Sequence, residues 1–497
     1  MPRIPAEKFD VLVIGGGITG CGVARDAAMR GLKVALIERD DFASGTSGRS
    51  SRLVHGGIRY LEHGQLHLVR ESIREREILL RIAPHLVQPL AFTWPIYQGA
   101  RVGKLKLTAG LLLYQLMALG KSRKYSSLDA AATLAREPSL GATGLRGGAV
   151  YYDARTDDAR LTIANALAAD QNGAFVASHT RVTQIIRDAG KAFGAVVTAQ
   201  LSGETQEIRT RCIVSAIGVW QTGPSASRGA GSRHGSKGVH IAVPRGRVGN
   251  RDAITIISEV DGRVMFCLPA GPQTIIGTTD TWSDESPEDV HASTRDIDYL
   301  LRSANAYFPD TRLTFDDVVS AWAGIRPLAS GGSNPSAVSR EHSITVDDAG
   351  VIHVTGGKLT TYRAMAAEIV DRVQEALGQK KRRAPTDTTQ LPGGDRDDQI
   401  AKLERDDPRL SKSLVPELPY TGAHLAYAVT REKGQTLSDL LIRRTHLAFE
   451  TRDHGRSIAP HAADIVAPWL GWNDQTKSAR VHEFEEDVGR IFAIGPP

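Results

Sequence analysis

Residues Phe9 to Glu38 constrain this chain more than any others. They read FDVLVIGGGITGCGVARDAAMRGLKVALIE. An apolar run, Val11 to Ile14, meets a glycine cluster and then a helix-forming segment. A second apolar run, Val34 to Ile37, ends at an acid. This spells strand, tight turn, helix, strand. Gly15, Gly17 and Gly20 fill the G-x-G-x-x-G positions. The first permits the turn, the second lets a pyrophosphate reach the backbone, and the third lets the helix pack on the strand. Free N–H groups at the helix N-terminus favour phosphate. Gly20, Ala24, Ala27 and Ala28 make a small-residue packing face, and Gly31 is a helix stop. Glu38 stands where a carboxylate can accept from ribose hydroxyls. Together these features predict a dinucleotide site and leave open whether it takes a nicotinamide or a flavin.

The chain has 497 residues, enough for a large core and more than one domain. A formal net charge of +5 is small for that length and gives no electrostatic case for nucleic acid. Cys21, Cys212 and Cys267 are far apart, which argues for buried thiols and against a disulfide framework or zinc site. No apolar signal-peptide core precedes Phe9, and no apolar run reaches bilayer length.

Past Glu38 lies a donor-rich loop, Ala43 to Arg52, followed by His55-Gly-Gly-Ile-Arg59-Tyr60. Its hydroxyls and N–H groups suit a phosphate or a ring edge. Leu66 to Ile82 predicts a helix with Leu66, Val69, Ile73 and Leu80 on its apolar face and charges opposite. Gln88 to Tyr97 reads as a strand entering a second layer. In residues 101–124, Arg101, Lys104 and Lys106 precede an apolar segment, and Lys121, Arg123 and Lys124 follow it. Too short to span a membrane, this segment suits the headgroup boundary of an anionic membrane surface, the alternative being a buried helix with solvated ends.

Asp153 to Ala169 predicts a loop and an Ala-rich helix. Phe175 to Ile186, Ala192 to Leu201 and Thr205 to Ile213 predict strands. The last continues into a buried stretch ending at Gly218, before Trp220. Residues 221–238 suggest a mobile loop. Strand-like runs at Val239 to Pro244, Ala253 to Ser258, Val264 to Leu268 and Thr274 to Ile276 predict a separate sheet. A hairpin around Asp348 to Gly350 then leads to Gly356-Gly-Lys-Leu-Thr-Thr-Tyr-Arg363, a second strand–glycine–helix junction whose helix end can face an electron-rich group. Composition shifts at Gly378 to Asp398, so a domain border is expected there. Residues 399–494 read as helical, most clearly from Thr436 to Phe449.

A dinucleotide fingerprint, a donor-rich loop and a distant Gly-Gly helix start favour the longer flavin nucleotide, FAD. The segments VIGGGITGCGVARDAAMRGL, TSGRSSRLVHGGIRYLEHG, DDARL, IIGTTD, GIRPL and GGKLTTYR, in this order, resemble the FAD-dependent glycerol-3-phosphate dehydrogenases, of the wider group like D-amino-acid oxidase. The resemblance runs from about Phe9 to Ile494. It implies an α/β fold: a Rossmann-like FAD-binding domain interleaved with a mixed or antiparallel-sheet substrate domain, plus an all-α C-terminal domain. The expected division is an oxidoreductase core at 8–386 and a helical domain at 387–497. Within the core, FAD segments fall at about 8–90, 150–230 and 345–380, and substrate segments at 91–149 and 231–344.

The resemblance also implies oxidation of sn-glycerol 3-phosphate to dihydroxyacetone phosphate. The C2 hydride would pass to flavin and electrons to a membrane quinone, in glycerol and glycerophospholipid catabolism. The expected location is cytoplasmic, peripheral on the inner face of the cytoplasmic membrane, with a homodimer left open. Arg59, Arg326 and Arg340 match positions expected near the substrate, joined by Tyr60, Lys358 and Thr361. Guanidinium forks suit phosphate. His55 and His240 are alternative bases for the hydroxyl proton, with Arg326 beside the chemistry. The cofactor would be held by Ile14, Gly15, Gly17, Ile18, Thr19, Gly20, Glu38 and Arg39. From the next segment come Thr46, Ser47, Ser51, Arg52, His55, Gly56 and Gly57. Further on are Val182, Ala216, Gly218, Trp220, Gly356, Gly357, Lys358, Leu359 and Thr360. No metal is expected. Two departures stand out: Ala216-Ile-Gly-Val-Trp220 replaces the family's Ala-Thr-Gly-Pro-Trp, and residues 268–273, LPAGPQ, lack its tryptophan. A peroxide-forming oxidase and a nucleotide-binding regulator without turnover remain as competing readings.

Overall fold

A computed structural model describes residues 4–5, 7–118, 124–220, 235–327 and 342–496. The opening stretch folds as its pattern requires. Strand Phe9–Ile14 leads through the glycines into helix Ile18–Met29, and strand Val34–Ile37 returns parallel beside the first. Arg30 ends the helix and Gly31 takes φ +85°, the left-handed turn a side chain resists. The sheet continues on one side through Thr205–Ser215 to Ile352–Thr355, and on the other to Phe175–Ala177, all parallel. Its strands are near-continuous apolar runs because helices cover the sheet: Ile18–Met29 packs against both Asp158–Gln171 and Tyr362–Ala376. The run predicted from Phe175 to Ile186 divides into two strands, Phe175–Ala177 and Thr180–Asp188, and Lys191–Ala199 begins one residue before the next predicted run and ends two residues short of its end.

The second sheet is mostly antiparallel. Gly235–Pro244 pairs with Gln273–Gly277 and with Ser320–Arg326, and the sheet runs on through Val264–Ala270 and Ala253–Ile257 to Val87–Tyr97, Leu145–Thr156 and Leu53–Val54. Two expectations change here. Residues 235–238 belong to a strand, because their backbone completes the ladder beside Arg326 and Ile325; the remainder of the expected mobile loop lies outside the described residues. Asp153 to Thr156, expected as loop, is the end of a strand paired with residues 87–90. The sheet therefore draws strands from both sides of the expected borders at 90/91 and 149/150.

Helix Leu66–Ile82 has the expected span, but its faces differ from the periodicity. Leu66 is exposed, whereas Glu75 and Arg76 are buried. Glu75 accepts from Arg363 Nε at 2.7 Å, and Arg76 Nη1 bonds Asp153 Oδ1 at 2.5 Å. Distant partners of opposite charge make burial tolerable, which a local pattern does not encode.

The C-terminal helices include Arg396–Asp406, Gly422–Arg431, Ala459–Leu470 and Asp474–Phe492. Thr436 to Phe449 is not one helix. A π-helical turn covers Asp439–Arg444, and a new helix starts at Leu447. Thr445 N–H donates to the Leu440 carbonyl five residues back, and the Thr445 hydroxyl donates to the same oxygen. The widened turn lets consecutive arginines, Arg443 and Arg444, reach one buried acid, Asp41. One apolar core joins this domain to the second sheet through Trp322, Phe449, Phe484 and Phe492.

Candidate active site

A cavity of about 600 Å³ runs between the two sheets. At one end are Gly15, Gly17, Ile18, Thr19 and Glu38; at the other are His55, Tyr60, His240, Arg326 and Lys358. Gly17 caps helix Ile18–Met29 without any side-chain cap bond of its own. Ser47 Oγ from the donor-rich loop accepts from Ile18 N–H at 3.0 Å, fixing that loop against the helix start. Gly15 adopts φ +107°, and a Cβ there would stand 2.6 Å from the Ala216 carbonyl oxygen. The first glycine is thus demanded by the neighbouring strand end as well as by the turn. Glu38 accepts from Gly16 N–H at 2.5 Å and from Asp40 N–H at 2.8 Å. Burial pushes its carboxyl up, against the pull of those two bonds. This glycine-lined, donor-edged trough fits the adenosine and pyrophosphate of a dinucleotide.

Trp220 and Arg39 meet above the same end. Arg39 lies 4.7 Å from the indole centroid, and both donate to Glu288 Oε1, at 2.6 Å from Trp220 and 3.0 Å from Arg39. Against the cost of burial, bonds from Ser286, Arg39 and Trp220 hold Glu288 down at about 2. Glu288 carries no local signal, since it comes from an irregular loop of the second domain. Ile14, Ala216, Gly218 and Val182 also line the cavity, with Thr46, Ser51, Gly356, Gly357, Leu359 and Thr360. Thr46 Oγ1 donates to the Ile325 carbonyl at 2.6 Å, tying the loop to the second sheet.

At the far end, His240 and Trp322 are cross-strand neighbours whose rings stack, 5.5 Å apart and 16° from parallel. His240 Nε2 lies 2.8 Å from Ser51 Oγ, and its Nδ1 has no partner among the described residues. The ring is 2 % exposed. Burial first, then Arg326 and Arg52, pull it down to about 3, so it is neutral near pH 7. Arg326 donates to Thr278 Oγ1 at 2.9 Å, Asp280 Oδ1 at 3.2 Å and Ser236 Oγ at 3.3 Å. Its guanidinium lies over Gly238, where a Cβ would come within 2.5 Å of Cζ. Lys358 Nζ sits 3.9 Å from the Tyr60 ring centroid. His55 N–H donates to Thr360 Oγ1 at 3.2 Å, which joins the His55 segment to the second glycine–helix junction.

Several expected site residues stand elsewhere. Gly20 packs against the Gly15 carbonyl, Gly56 against Tyr114 and Ile73, and Gly57 against the Tyr60 ring. Thr361 is buried at the start of helix Tyr362–Ala376. Arg52 does not line this cavity; its guanidinium lies 4.9 Å from the Phe449 ring centroid and faces a second chamber. Arg340 and the Arg59 side chain lie outside the described residues. Asp280, which holds Arg326, lies within the noted IIGTTD segment, and Trp322, which stacks on His240, lies just before the noted GIRPL segment, but only their strand pairing reveals those roles.

Residues 10–372 match the FAD dependent oxidoreductase family, and residues 386–477 match the C-terminal domain of alpha-glycerophosphate oxidase. The aerobic glycerol-3-phosphate dehydrogenase of Staphylococcus saprophyticus is 34% identical, over 96% of this chain and 94% of the relative. Glycerol-3-phosphate dehydrogenase 2 of Mycobacterium bovis is 37% identical, over 95% and 86%. Among solved structures, the FAD-complexed glycerol-3-phosphate dehydrogenase of Bacillus halodurans superposes with a TM-score of 0.77 at 30% identity, covering 98% of this chain and 95% of that one. The L-alpha-glycerophosphate oxidase of Mycoplasma pneumoniae shares the fold, with a TM-score of 0.58 at 19% identity, covering 78% of this chain and 100% of that one.

Proposed function

The chain belongs to the FAD-dependent oxidoreductase family, among its glycerol-3-phosphate dehydrogenases, and we propose that it oxidises sn-glycerol 3-phosphate to dihydroxyacetone phosphate and delivers the electrons to a membrane quinone. The observation that carries the reading is one juxtaposition. A neutral buried histidine and two cations, Arg326 and Lys358, stand at one end of a cavity whose other end is the dinucleotide trough.

FAD, when bound, supplies the acceptor for the hydride from C2. The protein's own residues do the rest. Arg326 and Lys358 hold the phosphate dianion, with Arg59 and Arg340 assigned to the same task by position. Asp280 and Thr278 fix the Arg326 fork, so little freedom is lost when substrate binds. His240 accepts the C2-hydroxyl proton at Nε2, where the Ser51 hydroxyl already holds a hydrogen bond. Arg326 is one of the charges that make the free imidazole a weak base. A bound phosphate dianion offsets that charge, so substrate raises the basicity of the group that deprotonates it. Trp322 keeps the ring in plane behind the site. His55 is the alternative base, on the segment tied to Thr360.

The membrane assignment rests on helix Lys104–Met117. Leu107, Leu111 and Tyr114 pack inward, whereas Leu105 and Leu116 are 86% and 73% exposed and Leu112 and Leu113 are also exposed. Lys104 and Lys106 flank this apolar face; Lys121 and Arg123 lie outside the described residues. No described helix is long and apolar enough to cross a membrane. A peripheral site on the inner face of the cytoplasmic membrane suits such a helix and a lipid-soluble acceptor.

The test is the flavin absorption spectrum of the purified protein, read before and after anaerobic glycerol 3-phosphate. Bleaching, followed by fast recovery with a quinone and slow recovery with oxygen, is expected. No bleaching would overturn the substrate assignment. Fast recovery with oxygen alone would make the protein an oxidase.

A further inference from the structure

A second chamber, of about 360 Å³, lies where the second sheet, the Gly393–Gly394 turn and the C-terminal helices meet. It adjoins the active-site cavity along one loop: Ser51 and Leu53 line both, and Arg52, at φ +54°, lines only the second. Among the described residues the Arg52 guanidinium has no hydrogen-bonding or ion-pair partner, and it rests on the rings of Phe449 and Trp322. Arg396 enters from the start of helix Arg396–Asp406. Its Nε is buried without a partner, and its ion-pair neighbour Asp397, at 3.7 Å, points into solvent. Burial and the nearby Arg160 pull Arg396 below the usual arginine range, against the opposing pull of Glu432, Asp397 and Asp157. Arg155 stands at the rim with Gln88 as its hydrogen-bond partner. Among the described residues, no acid of the chamber accepts a hydrogen bond from Arg52, Arg155 or Arg396. Asp157 is engaged by His446 at 2.8 Å, and burial pushes the Glu450 carboxyl up against the pull of His446 and Arg52. Glu450 Oε2 and His446 Nδ1 are also buried without partners.

A half-buried guanidinium whose hydrogen-bonding N–H groups lack partners, as in Arg52 and Arg396, is costly, and a bound anion lowers that cost. We propose that this chamber binds a small phosphate ester, its phosphate held between Arg52, Arg155 and Arg396. Planar guanidinium forks favour a phosphate over a point-charge anion. The chamber is far larger than one phosphate, and Leu53, Leu90 and Leu268 supply an apolar wall for a short carbon portion.

The test is equilibrium dialysis of the oxidised holoenzyme against inorganic phosphate and against glycerol 2-phosphate. Two sites per chain are expected for the ester, one in the active site and one here, with the second at least tenfold tighter for ester than for free phosphate. Arg396→Gln and Arg155→Gln should each weaken one site by about tenfold or more, while kcat and KM for glycerol 3-phosphate stay as in wild type. Arg155 is exposed, so that variant tests the site without disturbing the core. A single ester site per chain, or wild-type binding in both variants, would overturn the proposal. Equal or tighter binding of inorganic phosphate would overturn the assignment to an ester.

Discussion

The exposed leucines of helix Lys104–Met117 yield a quantitative expectation for membrane binding. Leu105 and Leu116 are 86% and 73% exposed, which together leaves about one and a half leucine side chains in water. Full burial of one leucine is worth roughly 1.5–3 kcal/mol, so inserting this pair contributes about 2.5–4.5 kcal/mol. Each 1.4 kcal/mol is about tenfold in an equilibrium. Leu105→Gln with Leu116→Gln should therefore weaken partitioning onto anionic vesicles by at least about 50-fold. Because neither side chain packs in the core, thermal stability should hold. Cosedimentation over a range of lipid concentrations measures the partition coefficient, and a melting curve serves as the control. If the double variant partitions like wild type, or if wild type does not bind vesicles, the helix is not the membrane surface.

Four further outcomes follow from named contacts. Gly15→Ala would place a methyl group 2.6 Å from the Ala216 carbonyl oxygen, at φ +107°; the purified variant should retain little FAD, read from its flavin-to-protein absorbance ratio. Arg326→Ala should raise KM for glycerol 3-phosphate more than about tenfold, the loss of a charged hydrogen bond of at least about 1.5 kcal/mol; an unchanged KM would remove Arg326 from phosphate binding. Arg444→Met leaves Asp41 short of a partner in a dry interior and should cost about 3–5 kcal/mol in urea unfolding, whereas a loss below about 1 kcal/mol would mean that Arg443 suffices. His179 Nε2 lies 2.9 Å from Asp439 Oδ2, and despite the opposing cost of burial Asp439 raises the histidine while His179 and Arg443 lower the acid. The histidine's share of stability is present below its unfolded value of about 6.5 and is lost as pH rises through its raised folded value. The acid's share is present above its unfolded value of about 3.9 and is lost as pH falls towards its depressed folded value. Stability should thus decline on the alkaline side, and His179→Gln should flatten that decline.

The features legible in the sequence were those whose cause is local. Turn chemistry and apolar runs placed Phe9–Ile14, Ile18–Met29 and Val34–Ile37, and periodicity gave the span of Leu66–Ile82. The same periodicity misassigned Glu75 and Arg76 to solvent, because Arg363 and Asp153, far away in the chain, make their burial possible. The break at Thr445 was hidden for a similar reason: Leu440 to Leu447 has a helical pattern, but Arg443 and Arg444 are both drawn to Asp41. In the candidate site, residue types at the glycine turns and at His55, His240 and Arg326 were readable. Their supports were not. Asp280, Trp322 and Glu288 act through strand register and loop packing, and Arg52 ends the donor loop in sequence yet faces another chamber.

Asp41 follows the nucleotide-side acid Glu38 by three residues, is wholly buried, and takes its counter-charges from Arg443 and Arg444. The C-terminal domain is therefore the counter-ion of the nucleotide domain. A chain cut at residue 386 would keep every glycine of the dinucleotide trough and still strand a carboxylate in the interior beside it. Such a chain must hydrate or protonate Asp41, and either response disturbs the loop that carries Glu38. Linkage makes the dependence mutual: FAD that binds only the folded trough also stabilises the docking of the C-terminal helices, and loosening those helices weakens the hold on FAD.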